Sequence, residues 1–251
     1  MDRTASIDVL RRKLATGDRT VGSWLQIPHP SIAEVMGASG YDWVAVDLEH
    51  GSISIDLLPD LFRALELGGT LPLARIAQGH SKDCKQALDA GAGGIIVPMI
   101  ESANQLAAVR NACRWPPAGT RGVGYSRANL FGRRLEAYRA EATAPLLIAQ
   151  IEHIRAVESI DEILAVEGLD AIMIGPYDLS ASLGIPGGFE SPAYKTALAR
   201  VIDKCRERSA ACGIHVVEPN KDELELRVAE GFQFLAYGID AVFLATASKR
   251  P

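Results

Sequence analysis

Eight short apolar runs recur along this chain, each followed by a stretch of helical periodicity, and this alternation most restricts what it can fold into. The runs are 21–27 (VGSWLQI), 43–48 (WVAVDL), 71–76 (LPLARI), 93–99 (GGIIVPM), 145–151 (PLLIAQI), 170–175 (DAIMIG), 212–217 (CGIHVV) and 232–238 (FQFLAYG). They are continuous rather than alternating, the pattern of strands covered on both faces. Between them lie helical stretches such as SIAEVMGASG, DCKQALDAGA and NKDELELRVAEG, many ending in the glycine of a left-handed C-cap. Eight strands alternating with helices predict an α/β fold of the (β/α)8 TIM-barrel type, a single domain over residues 1–251. An open doubly wound sheet usually has fewer strands, and no glycine-rich phosphate fingerprint follows the first run here.

Composition removes several function classes. A net charge of −5 without a basic stripe argues against nucleic acid or an anionic membrane surface as the partner. No apolar run is long enough to span a bilayer. The start, MDRTASIDVLRRKL, lacks the apolar core of a signal peptide and reads as an amphipathic helix, so a cytoplasmic location is expected. Cys84, Cys113, Cys205 and Cys212 are scattered without a CxxC pair and read as buried, reduced thiols.

Two segments depart from the rhythm. Residues 115–144 form a long insertion carrying Arg121, Arg127, Arg133, Arg134 and Arg139. It reads either as a lid or subunit contact, or as a surface loop with one extra helix. After the eighth run only residues 240–251 remain, a short last helix that leaves one side thinly covered, and a second copy of the chain could cover it.

The chemistry collects where strands end, which is where parallel α/β proteins bind ligands. Glu152 closes the fifth run and Asp178 follows the sixth in GPYD. Two carboxylates converging on one rim are costly unless a cation lies between them, and a hard divalent ion is the simplest candidate. The plainer alternative is that each caps a helix or pairs with an arginine. The second run ends in DLEHG, giving Asp47, Glu49 and His50, a proton carrier near neutral pH. Arg75 ends the third run and needs an anionic partner, either Asp47, Glu49 or a substrate. Gln150 shares a strand face with Glu152, whereas His153 points to the other side. Gly175 and Pro176 make a turn whose following N–H groups suit a carboxylate or phosphate. Trp24 either walls the pocket or packs in the core.

In order, DLEHG, PLARI, LDAGAGGIIVPM, PPAGTRGVGYSRA, QIEH and GPYDLSASLG resemble the HpcH/HpaI aldolase family of metal-dependent (class II) pyruvate aldolases, over about residues 20 to 240. The resemblance implies a lyase that cleaves a 4-hydroxy-2-oxo acid to pyruvate, or a close 2-oxo acid, and an aldehyde. It implies His50 as the general base, Asp89 as the acid that raises its basicity, and Arg75 as the stabiliser of enolate charge. It implies Glu152 and Asp178 as ligands of Mg2+ or Mn2+, with Co2+ or Zn2+ as alternatives. Gln150 and the backbone around Tyr177 become pyruvate contacts; Gly175, Asp178 and Trp24 are the further substrate contacts expected, and the assembly is expected to be a homo-oligomer, a trimer or hexamer. The chain departs from the family pattern at Tyr177, where a small residue is usual, and in its seventh and eighth strands, which border the aldehyde pocket.

No lysine sits at a strand end in the site, which argues against a Schiff-base aldolase. Two other readings stay open. One is an acyl-CoA lyase of the citrate lyase β-subunit or malyl-CoA lyase type, for which the arginine-rich insertion would have to hold the CoA phosphates. The other is a barrel that binds a 2-oxo acid without turnover.

Overall fold

The computed structural model describes residues 1–250. Every apolar run becomes a strand, within two residues of its expected limits. These are β1 (Thr20–Leu25), β2 (Trp43–Asp47), β3 (Leu71–Arg75), β4 (Gly94–Val97), β5 (Leu146–Ile151), β6 (Ala171–Ile174), β7 (Ala211–Val216) and β8 (Phe234–Ile239). All neighbours are parallel and β8 pairs with β1, closing the barrel in chain order. Around it lie α1 (Arg3–Thr16), α2 (Pro30–Gly37), α3 (Leu58–Leu67), α4 (Ser81–Ala90), α5 (Ala103–Cys113) and α6 (Leu135–Thr143). They are followed by α7 (Ile154–Glu158), α8 (Ile160–Leu164), α9 (Pro176–Ser182), α10 (Pro192–Glu207), α11 (Lys221–Ala229) and α12 (Asp240–Ala247). The TIM-barrel expectation is met.

Strand alternation divides the core in two. Val44, Val46, Ile95, Val97, Ile172 and Ile174 face outward and pack beneath the helices. Trp24, Trp43, Leu73, Ile148, Met173 and Phe234 face inward and fill the barrel. The Trp43 ring stacks on Phe234 with centroids 4.3 Å apart. Gly22 admits it, because a Cβ there would lie 2.1 Å from the indole. At the foot of the barrel, Ile7, Leu10 and Leu14 of α1 join the same interior cluster and stopper it. Asp2 caps that helix by accepting from the Ala5 N–H, and Gly17 ends it in the left-handed region, φ 81°.

The insertion supplies the short 3-10 turn Arg127–Asn129 and α6. It packs at the foot: Arg127 reaches the Ala90 carbonyl at the end of α4, and Arg3 bonds the Ala128 carbonyl and Glu141. Trp115, Tyr138 and Ala142 form its own small core. A lid over its own rim is therefore excluded, because helix ends that feed strands lie at the opposite end from strand ends. Its tip leaves Val123, Tyr125 and Phe131 exposed. The last helix, α12, is short, with Leu244 exposed. The four cysteines are buried and unpaired. Among the described residues, no helix is long and apolar enough to cross a membrane.

Candidate active site

Asp47 and Arg75 are register partners on β2 and β3, both turned inward at the rim. The fully buried Asp47 carboxylate takes two hydrogen bonds from Arg75, Nε at 2.9 Å and Nη2 at 2.6 Å. It also accepts from Gln26 Nε2 and from the backbone N–H groups of Glu49 and His50, which fixes the loop that presents the histidine. Burial pushes the Asp47 carboxyl up, but Arg75, Gln26 and the His50 N–H more than offset it and hold it below the usual range. Among the three partners left open for Arg75, Asp47 is thus the main one, with Glu49 a looser second at 3.3 Å. The guanidinium also lies 4.3 Å over the Trp24 ring, so Trp24 is a wall of the cavity as well as part of the core.

Across the mouth, buried Glu152 follows β5. Its Oε1 accepts from the Met99 N–H at 2.6 Å and its Oε2 from Gln150 Nε2 at 2.5 Å. Met99 makes that bond from a left-handed backbone, φ 52°, a conformation that costs a residue with a side chain about 1 kcal/mol or more. Gly175 sits against Glu152: a Cβ there would come 2.5 Å from Oε2 and 2.8 Å from the Glu152 Cβ. Asp178, exposed in the first turn of α9, lines the cavity and is near enough for its charge to be felt at Glu152. Burial raises the Glu152 carboxyl, countered by the Met99 and Gln150 donors and reinforced by Asp178. Burial likewise lifts Glu49, opposed by Arg75 and reinforced by Glu152, Asp47 and Asp178, to about 7.

Four carboxylates, Asp47, Glu49, Glu152 and Asp178, therefore share one rim with one guanidinium, an arrangement short of positive charge. Gln150 Oε1 and Trp24 Nε1 are buried there without a partner, and Glu49 Oε2 has ionic contacts with Arg75 and His50 but no hydrogen bond. Orphaned oxygens beside repelling carboxylates are what a hard cation and a polar ligand would satisfy. Among the described residues, no three His, Cys, Asp or Glu side chains converge as a closed cage. Two carboxylates with water and substrate oxygens are enough for an ion of the magnesium type.

His50 lies at the mouth, its ring largely exposed and its Nε2 3.8 Å from Glu49 Oε2. Tyr177 is exposed and stands edge-on to Phe189. Asp89 is not brought to this group. It is the penultimate residue of α4, at the foot, where burial raises its carboxyl against the pull of Arg121 and Lys85. The cavity itself, about 610 Å³, runs from Trp24, Arg75 and Gln150 past Tyr177 toward α10 and α11. Reading from the sequence missed Met99, Gln26 and Asp240, whose carboxylate accepts from the Gln26 and Ile27 N–H groups. Met99 acts through its backbone, which leaves no mark on residue type. Asp240 stands directly after β8, and that place was its available signal.

Compared with known proteins, residues 20–247 match the family described as HpcH/HpaI aldolase/citrate lyase. A 2-keto-3-deoxy-L-rhamnonate aldolase of Klebsiella pneumoniae is 38% identical over 243 residues, 96% of this chain and 90% of that protein. A hydroxypyruvate/pyruvate aldolase of Roseobacter denitrificans is 34% identical over 248 residues, 98% and 96% of the two chains. The crystal structure of an HpcH/HpaI aldolase/citrate lyase family protein from Burkholderia cenocepacia superposes with a TM-score of 0.89 at 31% identity, covering 96% of each chain.

Proposed function

The chain belongs to the HpcH/HpaI aldolase/citrate lyase family, and we propose that it is a carbon–carbon lyase that reversibly cleaves a 4-hydroxy-2-oxo acid to pyruvate, or a close 2-oxo acid, and an aldehyde. The observation that carries this reading is the rim itself: Glu152, Asp178 and Glu49 repel one another there, and Arg75, which contacts Glu49, is the guanidinium set against them.

Glu152 and Asp178 would hold a divalent ion, Mg2+ or Mn2+, which supplies Lewis acidity to the 2-oxo group when bound. Met99 and Gln150 keep Glu152 in one orientation, and Gly175 leaves room for it. Arg75, locked by Asp47, places fixed positive charge where enolate charge develops as the C3–C4 bond breaks. His50 takes the proton from the C4 hydroxyl in cleavage and returns it in condensation. The Tyr177 and Asp178 N–H groups at the start of α9 are donors for the 2-oxo acid, and Trp24 walls the cavity beside them.

Asp89 and His50 lie at opposite ends of one barrel, so the pairing that the family resemblance implies requires a second copy of the chain. The exposed Val123, Tyr125 and Phe131 at the insertion tip, close to the foot that carries Asp89, support a homo-oligomer of the trimer or hexamer kind. Four reduced cysteines suit a cytoplasmic location. The acyl-CoA alternative loses its footing, since the insertion packs at the foot, away from the rim, and three of its arginines are engaged there: Arg127 pairs with Glu66, Arg139 with Glu136, and Arg121 packs against Trp115 and Tyr138. The test is incubation of the protein with pyruvate, Mn2+ and a panel of aldehydes, read by mass spectrometry. Formation of 4-hydroxy-2-oxo acids is expected; a panel without a single adduct, together with pyruvate that does not exchange its C3 protons in D2O, overturns the reading.

A further inference from the structure

One imidazole inside the active-site cavity has no part in this chemistry. His215 faces inward from β7 beside Trp24, ring centroids 5.8 Å apart, and lines the cavity. Its Nε2 lies 3.1 Å from the carbonyl oxygen of Gly238 on β8. A carbonyl can only accept, so Nε2 carries the proton and Nδ1 carries a lone pair. Burial, opposed by the Gly238 carbonyl and Asp47 and reinforced by Arg75, lowers the ring's pKa to about 4, so at neutral pH it has one proton. Nδ1 has no partner among the described residues, and the part of the side chain that is not enclosed by the barrel wall borders the cavity.

We propose that His215 selects the aldehyde: its Nδ1 accepts a hydrogen bond from a hydroxyl on the incoming electrophile, which is therefore a short, neutral hydroxyaldehyde. This rests on the aldolase reading above and names its substrate class. The outer wall supports neutrality. Glu190, Glu218, Glu223 and Glu230 line it, and its two cations are already engaged, Lys195 by Glu190 at 2.7 Å and Arg227 by Glu230 at 2.9 Å and Glu223 at 3.3 Å. A carboxylate or phosphate on the aldehyde would meet a surplus of negative charge. An aldehyde without a hydroxyl would leave Nδ1 desolvated and unpaired, and sites with such an acceptor discriminate well against ligands that cannot fill it.

The experiment compares glycolaldehyde with methoxyacetaldehyde, which has similar inductive pull but no O–H, and with acetaldehyde. Each is condensed with pyruvate by the full-length protein and Mn2+, and kcat/KM ratios are read. A preference for glycolaldehyde of about tenfold or more over both comparators is expected. His215→Asn, whose amide oxygen stands near the place of Nδ1, should keep the preference. His215→Gln, whose amide nitrogen can still reach the Gly238 carbonyl but which leaves no acceptor near Nδ1, should bring the ratio to within about twofold. A ratio near one in the unaltered protein, or a ratio that His215→Gln leaves unchanged, overturns the inference. Deuterium exchange at C3 of pyruvate without aldehyde separates the two readings. Exchange with a ratio near one sinks the role of His215 alone; no exchange and no adduct sink the aldolase reading and this inference with it.

Discussion

Arg75 and Asp47 meet at the same level of adjacent strands through two hydrogen bonds, with the carboxylate fully enclosed and the guanidinium nearly so. A charged pair of this kind is strongly destabilising when only one member is removed. Asp47→Asn keeps the shape and removes the charge, leaving Arg75 unpaired against Trp24. Urea unfolding should show a loss of about 3 kcal/mol, and turnover should fall as the guanidinium drifts. A loss below about 1 kcal/mol would mean that Glu49 takes over the pairing.

His50 is presented by backbone N–H groups bound to Asp47, and its own ring is largely free at the mouth. His50→Ala should lower kcat by roughly 10² to 10⁴, the range for a general base, with metal affinity intact. Calorimetric titration with Mn2+ beside steady-state kinetics decides it; equal losses in both would make the histidine a ligand.

Removing divalent metal with EDTA should abolish turnover, and Mg2+ or Mn2+ should restore it. Glu152→Gln should weaken Mn2+ binding by at least about tenfold, measured by electron paramagnetic resonance of the free ion. Borohydride with pyruvate should leave the protein's mass unchanged. A mass increase would reveal a lysine Schiff base in place of this arrangement.

Gly175 tests the same centre by volume alone. The methyl of Gly175→Ala would fall 2.5 Å from Glu152 Oε2, so the carboxylate must swing away. Displacement of this order is expected to reduce kcat on the order of 10²-fold, and because the same methyl would lie 2.8 Å from the buried Glu152 Cβ, the unfolding midpoint should fall as well. Full activity in the alanine variant would show that Glu152 has room the structure does not suggest.

His215 also shapes the acid limb of stability. The imidazole titrates near 6.5 when unfolded and near 4 in the fold, so between those values the unfolded state binds the extra proton. Stability from keeping this ring neutral is complete above about pH 6.5 and is lost as pH falls toward 4. Over that window the unaltered protein should lose about 3 kcal/mol more than His215→Gln, measured by urea unfolding at several pH values. Parallel losses in the two proteins would place the titrating group elsewhere.

Much of this was open to reading from the chain, for a physical reason. A buried parallel strand is almost purely aliphatic, so a charged residue at its end stands out, as Arg75, Glu152 and Asp47 do. What escaped reading acts through backbone or through distance. The Met99 N–H could not be anticipated, since any residue but proline carries one. The seventh strand was already set beside the aldehyde pocket, but no role could be given to His215 within it, because that depends on Gly238 and Trp24, contributed by other strands. Asp89 shows the opposite failure: its motif was plain, while its place at the foot follows only from the direction in which α4 runs. The insertion's arginines were visible as a cluster, yet which end of the barrel they occupy depended on partners such as Glu66 and Ala90.

The Trp43–Phe234 stack has a bearing on how this scaffold could change. With those rings and the stopper helix filling the lower barrel, a ligand has no depth to exploit beneath Trp24 and Arg75. Any lengthening of the electrophile must extend outward, toward α10 and α11. New tolerances can then arise by editing Phe189, Glu223 or Arg227 at the periphery, leaving the aromatic floor and the reacting centre as inherited.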